Sequence, residues 1–279
     1  MKRKNTEPSV ERLAILEKIR ALEAEGGDSF YVDVEPDPPG HSLGPEEVDY
    51  LKKKFSNRFK AFWARRIADV AQVHFRRDLH MKVLGEENLA GLGEGGAILT
   101  SNHFSKFENL AVKEVADRVP GKHKFFRVVR ERNYFLTGII GFLMKNCDTL
   151  PLSSNIKTSR LFSEALEIMF RRGDLILIYP EQAMWWNYRK PRPFKPGAFF
   201  YAAKFRVPIV PIFVTMEDLP ELDEYNFPKQ AYTIHVMPVI YPDPEKSLRE
   251  NEREMLAKNQ QLCHDKYVEV YGEEPGNER

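Results

Sequence analysis

The sequence predicts an α/β domain, a mixed and largely parallel sheet flanked by helices, preceded by an N-terminal helical element. From Met81 onward, short apolar runs alternate with amphipathic stretches, which is the pattern of a layered α/β chain. The runs AILTSNH (97–103), DLILIY (174–179) and VPIVPIFVTM (207–216) are apolar with little alternation, as strands covered on both faces should be. A chain of 279 residues, 42% hydrophobic and 30% charged, is ordered and long enough to bury a substantial core.

The elements follow in order. Val10, Leu13, Leu16, Ile19 and Leu22 recur at helical spacing over 8–24, ahead of the breaking pair Gly26-Gly27. Residues 26–47 are rich in proline, glycine and acid and read as an extended connection. A second helix is predicted over 46–78, with Phe55, Phe59, Phe62, Trp63, Ile67 and Val70 on one face. Nine Lys or Arg stand against two Asp between Leu51 and His80. Such a helix suits an anionic lipid surface, and it equally suits an aromatic face packed on the domain with its cations in water. These residues divide the chain into a helical region, 1–80, and an α/β region, 81–279.

Within the α/β region, MKVLG, AILTSNH, HKFFRVVRE, CDTLPL, DLILIY, VPIVPIFVTM and AYTIHVMPVI read as strands. FENLAVKEVADRV, the glycine-containing NYFLTGIIGFLMKN, IKTSRLFSEALEIMFRRG and GAFFYAAKF read as helices, and a polar helix from 247 closes the chain.

Net charge is +1, so overall electrostatics make no case for nucleic acid. Cys147 and Cys263 lie far apart, match no metal-ligand spacing and read as free thiols in a reducing compartment. His74, His80, His123, His235 and His264 lack ligand-spaced partners, so no metal is expected. No apolar run approaches a membrane span, and the N-terminus lacks a signal-peptide core. The expected location is cytoplasmic.

In open α/β sheets, reactive groups gather at the carboxyl ends of strands. AILTSNH places Asn102 and His103 at such an end, and Glu108 follows five positions after the histidine. A carboxylate on one ring nitrogen fixes the tautomer and leaves the other nitrogen as a general base. DLILIYPEQ sets Glu181 after a fully apolar strand, where an acid must be paired or solvated. The two tryptophans that follow, Trp185 and Trp186, suit either a membrane interface or a packed core. A serine hydrolase built on Ser101 or Ser105 is disfavoured, because no G-x-S-x-G elbow is present.

Taken together, SNHFSKFENLA, GDLILIYPEQ and KPGAFFYAAKFRVPIVPIFV resemble the glycerolipid acyltransferase family typified by 1-acylglycerol-3-phosphate acyltransferase. That family carries an N-H-x-x-x-x-D block, an F-P-E-G-T-R block, a lysine-x-glycine helix start and a V-P-I-V-P strand, and the resemblance spans about 80–240 of this chain.

The resemblance implies acyl transfer from acyl-CoA or acyl carrier protein to a lipid hydroxyl, with no bound cofactor. His103 would be the base and Glu108 its partner. It also implies docking on the inner face of the cell membrane through N-terminal helices, which favours the lipid reading of 46–78. Glu181, Gln182, Ser153, Ser154, Arg132 and Arg189 are the expected substrate-binding residues.

Three departures stand out. Glu108 replaces Asp, Tyr179-Pro180-Glu181-Gln182-Ala183-Met184 replaces F-P-E-G-T-R, and TLPLSSN puts Ser153 and Ser154 where an acid and an arginine are expected. Two phosphate-binding arginines are thereby lost, and neither serine nor methionine can replace an arginine fork. Either Arg189, Lys190, Arg192 or Lys195 substitutes for them, with Arg130 and Arg132 as further candidates, or the acceptor has no phosphate there; the second is favoured. A non-catalytic, membrane-associated lipid-binding member of the fold is the alternative.

Overall fold

The computed structural model describes residues 7–275. Seven strands form one sheet in the order β1-β7-β6-β2-β5-β3-β4. They are β1 (Lys82–Leu84), β2 (Ala97–Thr100), β3 (Phe125–Arg130), β4 (Thr149–Leu152), β5 (Leu175–Leu177), β6 (Ile209–Leu222) and β7 (Pro228–Val236). Every neighbouring pair is parallel except β6 with β7, which form a hairpin. The mixed, largely parallel sheet expected from the apolar runs is therefore present.

Alternation along the strands builds two cores, because successive side chains leave opposite faces of a sheet. Ile98 of β2 and Ile176 of β5 join a cluster with α5 (Ile156–Arg171), α6 (Gly197–Phe205) and α7 (Leu248–Tyr271). Ala97, Leu99, Leu175 and Leu177 join the other, against α3 (Glu108–Ala116). Helix α5 starts where the Asn155 side chain accepts from the Lys157 and Thr158 amides. Two residues past its end comes Gly173, whose φ of +82° suits glycine and where a Cβ would lie 2.4 Å from the Glu94 carbonyl oxygen. Helix α7 opens on a Ser247–Glu250 capping box and buries Asn251, Met255, Asn259, Cys263 and Tyr267, one residue per turn. Its predicted polarity holds for the outer face only.

The helix expected over 46–78 is shorter than its pattern, and α2 runs from Phe55 to Asp78. Asp49 stops it extending backwards. Its carboxylate accepts from the Lys53 and Lys54 amides and from Asn57 Nδ2, while Lys52 turns into the left-handed region with a φ of 52°. Ala64 and Ala68 of α2 pack on α4 (Gly138–Asn146) through Phe142, Leu143 and Cys147. The opposite face of α2 is open: Phe55, Phe59, Phe62, Trp63, Val70 and Val73 are each more than half exposed. Among the described residues no helix is long and apolar enough to cross a membrane.

Helix α1 (Val10–Glu25) lies against the loop that follows β5, burying Ile15 and Ile19 with Trp185 and Trp186. Neither tryptophan is at the surface, which removes the membrane-interface reading of this pair. Residues 27–47 then run as a strap over the molecule. The Phe30 and Val32 carbonyls accept from Arg192 and Trp185, and the Leu43 carbonyl accepts from Ser153 and Thr158.

Candidate active site

Strand β2 ends at Thr100, so Ser101 to Phe107 form a loop at the carboxyl edge of the sheet. Asn102 anchors this loop. Its side-chain amide donates to the Val214 carbonyl and accepts from the Val214 amide, both at 2.9 Å, and so prolongs the pairing with β6 after the backbone has turned away. Phe104 is buried edge-on against Tyr232, and Ser105 Oγ accepts from the Phe107 amide just before α3. These contacts leave the His103 imidazole 21% exposed, pointing off the sheet edge.

Glu108, the first residue of α3, is almost fully buried and accepts from His103 Nδ1 through Oε1. A carboxylate in the first turn also meets the positive end of the helix dipole. Nε2 of His103 has no partner among the described residues and remains reachable. The pair expected from a five-residue spacing is thus formed. Face to face with the imidazole, at 4.0 Å and 9° between planes, lies the ring of Tyr179, two residues beyond β5. The sequence reading assigned Tyr179 no role.

Behind the histidine, Glu181 is 2% exposed and has donors on both oxygens. Oε2 accepts from the His103 amide at 3.0 Å and from Arg192 Nη2 at 2.9 Å; Oε1 accepts from the Arg192 amide at 3.0 Å. Arg192, 1% exposed, also reaches the carbonyls of Phe30, His103 and Ala183 and lies over the Trp185 ring. The Trp185 and Asn187 amides donate to the carbonyls of His103 and Phe104, each at 3.0 Å. The segment after β5 is therefore stitched to the back of the His103 loop, and the acid that ends an apolar strand finds its cation eleven residues on.

The other residues expected to bind substrate are more scattered. Gln182 is exposed at a left-handed turn with a φ of 62°. Ser153 and Ser154 meet the strap, Ser153 donating to the Leu43 carbonyl and Ser154 bonding to Ser42 and Glu131. Arg132 donates to the Gly40 carbonyl, also in the strap. Arg189, in the loop between β5 and α6, turns to the β6–β7 hairpin and pairs with Asp218 of β6 at 2.7 Å. Lys190 and Lys195 pair with Glu23 and Asp28, and Arg130 grips both Asp33 and Asp37. Lys106 and Arg12 share Glu35, whose carboxyl burial would raise but which those two cations hold below the usual range. Burial pushes Asp33 up, against the opposing pull of Arg130. Among the described residues no group of three His, Cys, Asp or Glu is placed to hold a metal.

Residues 80–215, which contain His103, Glu108, Tyr179, Glu181 and Arg192, match the family model described as Acyltransferase. This stretch, just under half of the chain, is similar to the acyltransferase family. Among solved structures, it is similar to the 1-acyl-sn-glycerophosphate (LPA) acyltransferase PlsC from Thermotoga maritima, with 16% identity and a TM-score of 0.46 over 76% of this chain and 84% of that one. Among curated proteins none matches it. The match starts just after α2 and stops within β6, so α1, the strap and α2 all lie outside it.

Proposed function

We propose that this chain transfers a fatty acyl group from an acyl thioester, acyl-CoA or acyl carrier protein, to a hydroxyl of a lysophospholipid or related lipid. The observation that carries this reading is the His103–Glu108 pair at the sheet edge, with Nδ1 held by a buried carboxylate and Nε2 open. With Nδ1 donating, Nε2 has the lone pair that a general base needs. The acceptor oxygen attacks the thioester carbonyl as its proton passes to Nε2. The tetrahedral intermediate then collapses with cleavage of the carbon–sulfur bond, and the imidazolium returns the proton to the departing thiolate. Glu108 keeps its hydrogen bond to Nδ1 throughout.

The acceptor we favour has no phosphate beside His103. In support, every cation named as a substitute for the two missing arginines, save Arg132 on the Gly40 carbonyl, is already paired with a carboxylate. Arg192 is locked to Glu181, Arg130 to two strap acids, and Arg189, Lys190 and Lys195 to Asp218, Glu23 and Asp28. A phosphomonoester here would have to compete with carboxylates already in place.

The membrane surface is assigned to α2, acting peripherally on the cytoplasmic face. Its exposed Phe and Trp side chains and flanking cations suit an anionic bilayer, and α4, packed on it, adds exposed Ile139 and Ile140. Phe75, near the end of α2, stacks on Phe107 at 4.3 Å, so this helix abuts the residue preceding Glu108.

The test is transfer of a labelled acyl group from oleoyl-CoA, and separately from oleoyl acyl carrier protein, to a lysolipid panel on anionic vesicles. His103→Ala should lower turnover by about 10²- to 10⁴-fold, the usual contribution of a general base. Undiminished transfer by that variant ends the proposal. Wild-type thioester consumption at background throughout the panel would leave the lipid-binding alternative standing. A marked preference for a phosphomonoester acceptor over neutral and glycosylated ones would reject the acceptor assignment alone.

A further inference from the structure

Two buried polar atoms at the dyad have no hydrogen-bond partner among the described residues: Glu108 Oε2 and the Tyr179 hydroxyl. They belong to neighbours. Burial pushes the Tyr179 phenol well above its ordinary value, and the next cause is the Glu108 carboxylate beside it, with Arg127 of β3 pulling the other way. A phenol can donate, and a carboxylate oxygen can only accept. Leaving either unmatched in a buried site is costly, so a small rotation that joins them is favoured.

The ring adds a second contact. Its parallel stack on His103 offers a π face to the cation that forms when Nε2 takes a proton. Position in the fold explains why one residue does both. Strand β5 lies between β2 and β3, and the Ile178 amide still donates to the Leu99 carbonyl, so the next residue is delivered alongside the loop that carries His103. The sequence shows a matching pair of departures: tyrosine stands where the resembled block has phenylalanine, and glutamate where it has aspartate. The longer carboxylate has one more rotatable bond, and the added hydroxyl is placed to restrain it.

We propose that Tyr179 is a positioning residue of the His103–Glu108 pair, its ring packed on the imidazole and its hydroxyl donating to Glu108 Oε2 so that Oε1 is kept for Nδ1. This rests on His103 being the base. The titratable groups that face the imidazole are then Glu108 from α3, Tyr179 after β5 and Asp33 from the strap. Arg127 acts on the phenol from β3, and Glu181 with Arg192 bind the histidine's backbone from behind.

The experiment uses the full chain and Tyr179→Phe, which removes one oxygen and keeps the stack. The His103 ring resonance, assigned by its loss in His103→Ala, is followed against pH by NMR, and acyl transfer is measured in parallel. Without the hydroxyl the carboxylate keeps its full pull on the imidazole, so the His103 midpoint should rise by about half a unit or more. In parallel, kcat should fall about tenfold with the thioester KM unchanged. In a Glu108→Gln background Tyr179→Phe should move neither quantity further. An unshifted titration with unchanged kcat overturns the proposal, as does a lower melting temperature with both readings unmoved. If instead His103→Ala keeps full transfer, the acyltransferase mechanism has failed, and the titration still reports whether Tyr179 acts on the dyad.

Discussion

Glu181 and Arg192 make the deepest ion pair near the site, and its geometry says more about support than about substrate. Both carboxylate oxygens are used, and the guanidinium spans three backbone carbonyls from the strap, the His103 loop and its own loop. Removing one partner from a buried pair strands a charge, at a cost of about 3–5 kcal/mol. We therefore expect Arg192→Met to lower the unfolding free energy by that amount in urea titrations. Arg192→Lys should recover only part of it, because an ammonium cannot span the same carbonyls. A change under about 1 kcal/mol would mean that the pair is not closed in solution. From the sequence, Glu181 reads as an acid in need of a partner and Arg192 as one of several candidate phosphate ligands. That pairing was not legible, because the contacts that bury Arg192 come from far along the chain: the Phe30 carbonyl it meets is 162 residues away.

Among the elements, α2 shows how a pattern can be read correctly and still leave its partner open. Its period was legible, and so was the excess of cations, but which face would be covered depended on α4 and α3, invisible from the helix itself. The small residues Ala61, Ala64 and Ala68 face inward, and the aromatics face out. Replacing Phe59 and Trp63 together by Glu should reduce sedimentation with phosphatidylserine-containing vesicles by about tenfold or more, since apolar contact and cationic attraction are both weakened. The same variant should retain its melting temperature, because both residues are exposed. Vesicle binding unaffected by the double change would move the membrane contact elsewhere. The strands and the His103–Glu108 spacing were legible for the opposite reason. Period, turn and five-residue separation are all local, whereas Trp185 is buried by an α1 helix and a strap whose Val32 lies 153 residues earlier.

Across the whole molecule, a buried histidine inside the sheet should tie stability to pH. His235, on β7, bonds to Thr215 of β6. It is pushed from its ordinary value near 6.5 down to about 4, by burial first and then by Lys266 and Lys82, with Glu269 opposing. Its folded form is neutral, so below the ordinary value the unfolded chain takes up the proton first. Its contribution is complete above pH 6.5 and is lost as pH falls toward 4. Urea midpoints measured across that interval should decline with acid, and His235→Gln should flatten the decline. An unaltered slope would assign it to carboxylates such as Glu35.

The strap carries a consequence for the order in which the molecule is completed. Residues 27–47 bind to Trp185, Arg192 and Ser153, and the Ser9 amide to the Tyr225 carbonyl, so these segments have no surface to settle on until residues far along the chain are in place. Closing such long loops is entropically expensive, and the sheet's parallel pairs have to form before that closure is rewarded. The strap thus precedes in the chain the surfaces it docks on, and seating it brings Asp33 within electrostatic reach of His103. Maturation of the site and final docking of the leading segment are one event. Native-state hydrogen exchange should show this directly, with amides of the strap exchanging well before those of β2.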